Sequence, residues 1–167
     1  MDEEITDFCT AEYPRLVGML GLYCGDRAVA EELAQEALAR AWRHWKKVRG
    51  LDHPAAWLHR VALNLANSHF RRLGAERRAR ERSGHVEDRM SDLDTADKQA
   101  VQEAVAALPK RQRTALVLRY YLDLPYAEIA EVMEAPEATV KSLVRRAIAR
   151  LRSESGLTEP VEVFDVT

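Results

Sequence analysis

The chain has 167 residues and a formal net charge of −2, from 25 Lys and Arg against 27 Asp and Glu. With 47% apolar and 31% charged residues but only 7 Gly and 6 Pro, the composition fits a helical protein of one ordinary domain or two small ones and argues against a sandwich, a barrel or a collagen-like chain. It has no run of 18 apolar residues to cross a membrane, its start Met1-Asp2-Glu3-Glu4 is the acidic opposite of a signal peptide, and Cys9 and Cys24 are too few for a disulfide framework or a four-ligand zinc site. A cytoplasmic, all-α protein is the first expectation.

Phe8, Tyr13, Leu16, Val17, Leu20 and Tyr23 recur at helical spacing and predict a first amphipathic helix. Gly25-Asp26 predicts a stop and a fresh N-cap. From Arg27 a second stripe runs through Val29, Ala30, Leu33, Ala37, Leu38, Ala41 and Trp45, predicting a helix over 27–45. Its opposite face carries Glu31, Glu32, Gln35, Glu36, Arg40 and Arg43. A basic connection, Lys46 to His53, includes Lys47 and Arg49. Pro54 suits the first turn of the next helix, with Asp52 or His53 near the cap. That helix is predicted over about 55–72, through Trp57, Leu58, Val61, Ala62, Leu65, Ala66 and Phe70.

Residues 74–95 hold few large apolar side chains, a dense Arg/Glu stretch and Ser83-Gly84, and read as a mobile linker, helical in its Arg-rich first third. Further helices are predicted near 96–107, 110–122, 126–134 and 136–153, the first three separated by Leu108-Pro109 and Leu124-Pro125. Residues 154–167 read as an acidic tail.

The near-neutral total conceals a segregation of charge. Residues 1–39 carry −7, 40–82 carry +9, 83–107 carry −4, 108–135 balance, 136–153 carry +4 and 154–167 carry −4. Two basic blocks, each on a predicted helix, are an electrostatic footprint for phosphate backbones.

In the second half, the short helix Tyr126 to Met133, the connection Glu134 to Ala138 and the basic helix opened by Thr139 predict a helix-turn-helix. Ala130 supplies the small residue where the helices touch, and Ile129, Met133, Val140 and Leu143 or Val144 supply apolar contacts. The exposed side of the second helix then shows Lys141, Ser142, Arg145 and Arg146, which suit base edges and phosphates in a major groove. Near the first basic block, Trp42, Trp45 and Trp57 fit apolar stripes, and most of them are assigned to the core. His44, His53, His59, His69 and His85 do not converge with either cysteine at metal spacing, and no Gly-rich phosphate loop is present, so no catalytic site, metal or cofactor is expected. Cys9 and Cys24 read as small core residues.

In their order along the chain these segments resemble the extracytoplasmic-function group of bacterial sigma factors. Asp26 to Trp42 is similar to the helix that docks on RNA polymerase, Ala56 to Asn64 to the helix that handles the −10 promoter element, and Leu108 to Arg113 with Tyr126 to Arg152 to the domain that reads the −35 element. The resemblance covers about residues 5–153 and implies a region 2-like domain (5–74), a linker (75–95), a region 4-like helix-turn-helix domain (96–153) and an acidic tail (154–167). It implies a polymerase-binding face of Glu31, Glu32, Gln35 and Glu36, with Arg40 and Arg43 alongside. It implies a −10 surface in which Lys46, Lys47 and Arg49 lie on a loop over a base pocket. On that surface Asn64 reads a base edge, and Arg60, Arg71 and Arg72 hold phosphates. It implies a −35 surface of Thr139, Lys141, Ser142, Arg145 and Arg146, with core RNA polymerase, promoter DNA and an anti-sigma protein as partners. The sequence departs from the family pattern at Leu143, often Arg, and in the turn Ala135-Pro136-Glu137-Ala138, which lacks a common Gly. The competing expectation is an autonomous helix-turn-helix regulator, with residues 1–75 as a dimerisation or sensing module. The +9 of residues 40–82 speaks against it.

Overall fold

The computed structural model describes residues 2–84 and 96–155. Within them the chain forms α1 (Asp2–Cys24), α2 (Arg27–Arg43), α3 (Trp45–Val48), α4 (Pro54–Ser83), α5 (Ala96–Ala106), α6 (Lys110–Leu116), a π-helical turn (Val117–Tyr121), α7 (Tyr126–Met133) and α8 (Glu137–Ser155). The α1–α2 joint agrees with the sequence signal. Gly25 takes a left-handed φ of 73°, and the Asp26 carboxylate accepts from the Val29 backbone N–H at 3.1 Å.

Three predicted boundaries move. The helix expected over 27–45 ends at Arg43, because His44 leaves helical geometry (ψ 17°) before Trp45 opens α3. The helix expected to end near Arg72 runs on to Ser83. Its Arg-, Ala- and Glu-rich extension consists of strong helix formers, Arg77 pairs with Glu81 at 3.7 Å, and Gly84 closes it at φ 76°. The helix expected over 110–122 ends at Leu116, and its last turn is π-helical, with the Leu122 N–H donating to the Val117 carbonyl at 3.3 Å. At α4 the N-cap residue is His53, without a side-chain capping bond, and Pro54 takes the first helical position. The rest of the expected linker (85–95, with His85) and of the tail (156–167) lies outside the described residues.

In the first half, α1 lies against α2 and α4, burying Leu16, Met19, Leu20, Ala30, Ala34, Ala37, Leu58 and Ala62. The alanines of α2 let its axis approach α1 closely, and each fully buried Leu or Met contributes about 1.5–3 kcal/mol. In the second half, α6, α7 and α8 bury Leu116, Leu118, Ile129, Val140, Leu143, Val144 and Ala147. Both candidates for the helix-turn-helix contact, Leu143 and Val144, are therefore core. Cys24 packs against the main core and Cys9 against a smaller cluster of Ile5, Trp45 and Val48.

The two halves also pack on each other, and one buried cluster runs from Leu16 to Leu151. On one side of the seam, the Tyr23 hydroxyl donates to Asn67 Oδ1 at 2.8 Å and lies 3.4 Å from the Thr114 hydroxyl. The Arg113 guanidinium stands over the rings of Tyr23 and Phe70, 5.2 and 5.8 Å from their centroids. The Tyr121 hydroxyl sits where a Cβ on Gly18 would be, so only glycine admits it. On the other side, the end of α7 meets α4 at Arg60.

Candidate nucleic-acid interface

The scaffold under the first basic block contains a buried charge pair. Glu12 on α1 and His59 on α4 meet at 3.0 Å, with His59 only 1% exposed, and Arg15 approaches the other carboxylate oxygen at 3.2 Å. Burial pushes the Glu12 carboxyl up, but the hydrogen bond and charge of His59, with Arg15, outweigh it and hold the group below its ordinary range. This pair fixes the roll of α4 against α1 and so the direction in which the next residue, Arg60, projects.

Along α4, Arg60, Asn64 and Arg71 fall within about 40° of one line, at 100° per residue. Asn64, Arg71 and Arg72 are exposed, and Arg71 also reaches the Ser68 hydroxyl at 3.0 Å. Arg60 is turned instead toward α7. Its Nε donates to the Val132 carbonyl at 3.2 Å, its Nη2 donates to the Glu131 carbonyl, and its Nη1 lies 3.1 Å from the Glu134 carboxylate. Beside it, His53 Nε2 stands 3.7 Å from Glu131 Oε1. The structure therefore brings Asn64, Arg71 and Arg72 together on an open face and holds Arg60 in a contact between the two halves.

Lys46, Lys47 and Arg49 are exposed on and just after α3, and Arg49 pairs with Glu4 at 3.2 Å. Lys46 and Lys47 border a pocket of about 450 Å³ lined also by Ile5, Trp42, Arg43 and Trp45. Trp45 is 6% exposed and its indole N–H meets no acceptor, whereas Trp42 is 53% exposed. The assignment of the tryptophans to the core thus holds for Trp45, half for Trp57, and not for Trp42. The 3.6-residue period contained that signal, since Trp42 lies about 120° around α2 from Ala30, outside the arc of Ala30, Leu33, Ala34, Ala37 and Ala41. An exposed indole among lysines can stack on an unpaired base.

On the outer face of α2, Glu32 and Gln35 are exposed. Glu31 pairs with Arg27 at 3.0 Å, and Glu36 takes both Arg40 at 2.8 Å and Arg43 at 3.4 Å. The hydrogen bond from Arg40, then the charges of Arg40 and Arg43, hold the Glu36 carboxyl below its ordinary range. The surface is thus a mixed acidic and basic strip.

On α8, Lys141, Arg145 and Arg146 are exposed, and Thr139 and Ser142 are half-buried beside them. Lys141 pairs with Glu137 at 3.3 Å and stands over the Tyr126 ring, 5.6 Å from its centroid. Leu143 takes no part in this face, being buried against the core. Neither thiol belongs to a site. Burial pushes the Cys24 thiol up to about 12 and raises that of Cys9. No helix of the described residues is long and apolar enough to cross a membrane, and none of them form a cluster of three or more metal-ligating side chains.

Comparisons with known proteins agree with this division. Residues 8–76 match the model of sigma-70 region 2, and residues 98–151 match that of sigma-70 region 4. The sigma factor SigL of Mycobacterium tuberculosis is 33% identical over 145 residues, covering 80% of this chain and 80% of its own length. The sigma-E factor of Streptomyces antibioticus is 33% identical over 131 residues (77% and 72%), and the sigma-H factor of Pseudomonas aeruginosa 29% over 163 residues (87% and 83%). Among solved structures, the sigma factor RpoE in complex with the anti-sigma factor NepR from Bartonella quintana superposes with a TM-score of 0.75 at 23% identity, covering 94% of this chain and 99% of that one. CnrH in complex with the cytosolic domain of CnrY gives 0.71 at 17% identity, covering 95% and 92%. The match to region 2 removes the reading of residues 1–75 as a dimerisation or sensing module.

Proposed function

The chain belongs to the extracytoplasmic-function RNA polymerase sigma factors, and on that footing we propose how its surfaces share promoter recognition. As a sigma factor it binds core RNA polymerase and directs initiation to a subset of promoters. The mixed strip of α2 (Glu31, Glu32, Gln35, Glu36, Arg40, Arg43) docks on the polymerase, where complementary charge mainly sets encounter rate and register. Region 2 opens and reads the −10 element. Lys46, Lys47 and Arg49 hold the displaced strand, Asn64 offers a donor and an acceptor to a base edge, and Arg60, Arg71 and Arg72 hold phosphates. Extruding a base costs a few kcal/mol, which stacking and hydrogen bonds must return. Region 4 reads the −35 duplex through Lys141, Ser142, Arg145 and Arg146, with Thr139 at the helix start.

The observation that supports this reading best is the ordered pair of region 2 and region 4, each with an exposed basic face on α4 or α8. In this reading the protein has no catalytic step of its own, needs no cofactor and acts in the cytoplasm with the polymerase. RpoE and CnrH were each solved with a bound regulator, and an anti-sigma protein is proposed here too. Reconstitution with core polymerase on genomic templates tests the assignment. Specific transcripts are expected only when the chain is added, and their absence from every template would sink it.

A further inference from the structure

We infer that the packing of region 4 on region 2 is an autoinhibitory latch, in which the end of α7 holds Arg60 away from DNA until the two regions part. The inference rests on the promoter-reading roles proposed above for α4 and α8. Arg60 directs its guanidinium nitrogens to the Val132 carbonyl, the Glu131 carbonyl and the Glu134 carboxylate. The carbonyls at a helix C-terminus carry the negative end of its dipole, so this end of α7 offers a cation what a phosphate offers it. A guanidinium with all its arms engaged cannot also hold a phosphate. Asn64 lies one turn away along α4, about 6 Å, so the same contact crowds the face that reads the base.

Glu134 strengthens the case. Its φ of 51° and ψ of 47° lie in the left-handed region that favours glycine at a helix end, yet the residue is a glutamate whose carboxylate reaches Arg60. At the far side of the seam the fit of the Tyr121 hydroxyl on Gly18 has the same character, since any other residue at 18 would evict it.

Distance makes closure and promoter binding exclusive. The −35 and −10 elements are about 25 base pairs apart, about 85 Å at 3.4 Å per step. A packed chain of 167 residues has a radius of gyration of about 15 Å and is about 40 Å across. The closed chain therefore cannot reach both elements. The free chain binds DNA weakly in proportion to its open fraction, and a partner that binds only the open form, core polymerase above all, removes the penalty.

Small-angle scattering and strand binding by the full chain test this. The wild type should scatter with a radius of gyration near 15 Å. Gly18→Leu, which leaves charge unchanged and places a good helix former in α1, should expand the particle. It should also raise affinity for a fluorescein-labelled twelve-nucleotide thymidine strand about fivefold. Glu134→Gly relieves its own backbone and removes the carboxylate, so its folding is secure, and it should expand the particle in the same direction. An extended wild type, or an opened variant that binds the strand no better, would overturn the latch. In complex with core polymerase, wild type and Gly18→Leu should initiate equally from the same promoters. Failure of both to initiate defeats the functional assignment and the latch with it, whereas normal initiation by a wild type that scatters as extended defeats the latch alone.

Discussion

The two basic surfaces stand in opposite conditions. On α4, Arg60 is spent on internal partners, and it grows from a scaffold locked by the buried Glu12–His59 pair. On α8 the basic residues stand clear, over a core made almost wholly of apolar contacts. A count of charge along the chain ranks the first block higher, +9 against +4, but the folded chain exposes its second block more freely. What a cation can bind depends on what else lies within reach of it.

The largest effect separates the scaffolds. Glu12→Leu leaves His59 buried without its partner and should cost about 3 kcal/mol in denaturant unfolding, while no ionic substitution on α8 should approach that. The pH dependence is set by the same group. Its folded pKa is held below the ordinary 4.5, so its stabilisation is complete above pH 4.5 and disappears as pH falls through the folded value. Glu12→Gln should flatten that acid limb in a melting series, and an unchanged limb would show that the pair contributes nothing.

Next come the reading surfaces. Arg145→Ala or Lys141→Ala should weaken −35-dependent initiation by about 1–3 kcal/mol for a lost base contact and by less for a phosphate contact. The loss should be greater at Arg145, because Lys141 already shares its charge with Glu137. A promoter profile unchanged in both variants argues against α8 as the recognition helix. Asn64→Ala should leave duplex binding within about twofold yet slow strand opening, since a flipped base is read only after melting. Permanganate reactivity of the melted region is the readout, and normal reactivity removes Asn64 from that role. The smallest effect is on exposed pairs. Glu31→Gln breaks a solvent-facing bridge to Arg27 and should change stability by under about 0.5 kcal/mol, while lowering the salt dependence of association with core polymerase.

The sequence carried its elements and its two reading helices well. Asp26 capped α2 as its position before Arg27 implied, and Ile129, Val140 and Val144 formed the helix-turn-helix core that their spacing required. Local chemistry decides such features, and local chemistry is what a sequence displays. The split after Arg43 was less visible because Trp45 continues the apolar stripe across the break. Hidden altogether were the features made by residues far apart in the chain. Glu12 and His59 each look like ordinary surface residues until α1 and α4 are laid side by side. Arg60 reads as a DNA-facing arginine until α7, more than 70 residues later, is placed against it. The closeness of Tyr121 to Gly18 depends on the shape of both halves and on no periodicity in either.

The π-helical turn at Val117–Tyr121 has a consequence of its own. A π turn takes in one residue more than an α turn while advancing the chain hardly further, so it acts as an indexing step between α6 and the pair α7 and α8. Deleting a single residue there would restore regular winding and rotate the downstream chain by about 100° relative to α6. Tyr121 would swing off Gly18, and α7 and α8 would meet the upstream helices out of phase, with every hydrophobic residue still present in the sequence. The length of this segment, counted in whole residues, therefore sets the angle at which the reading helix is presented.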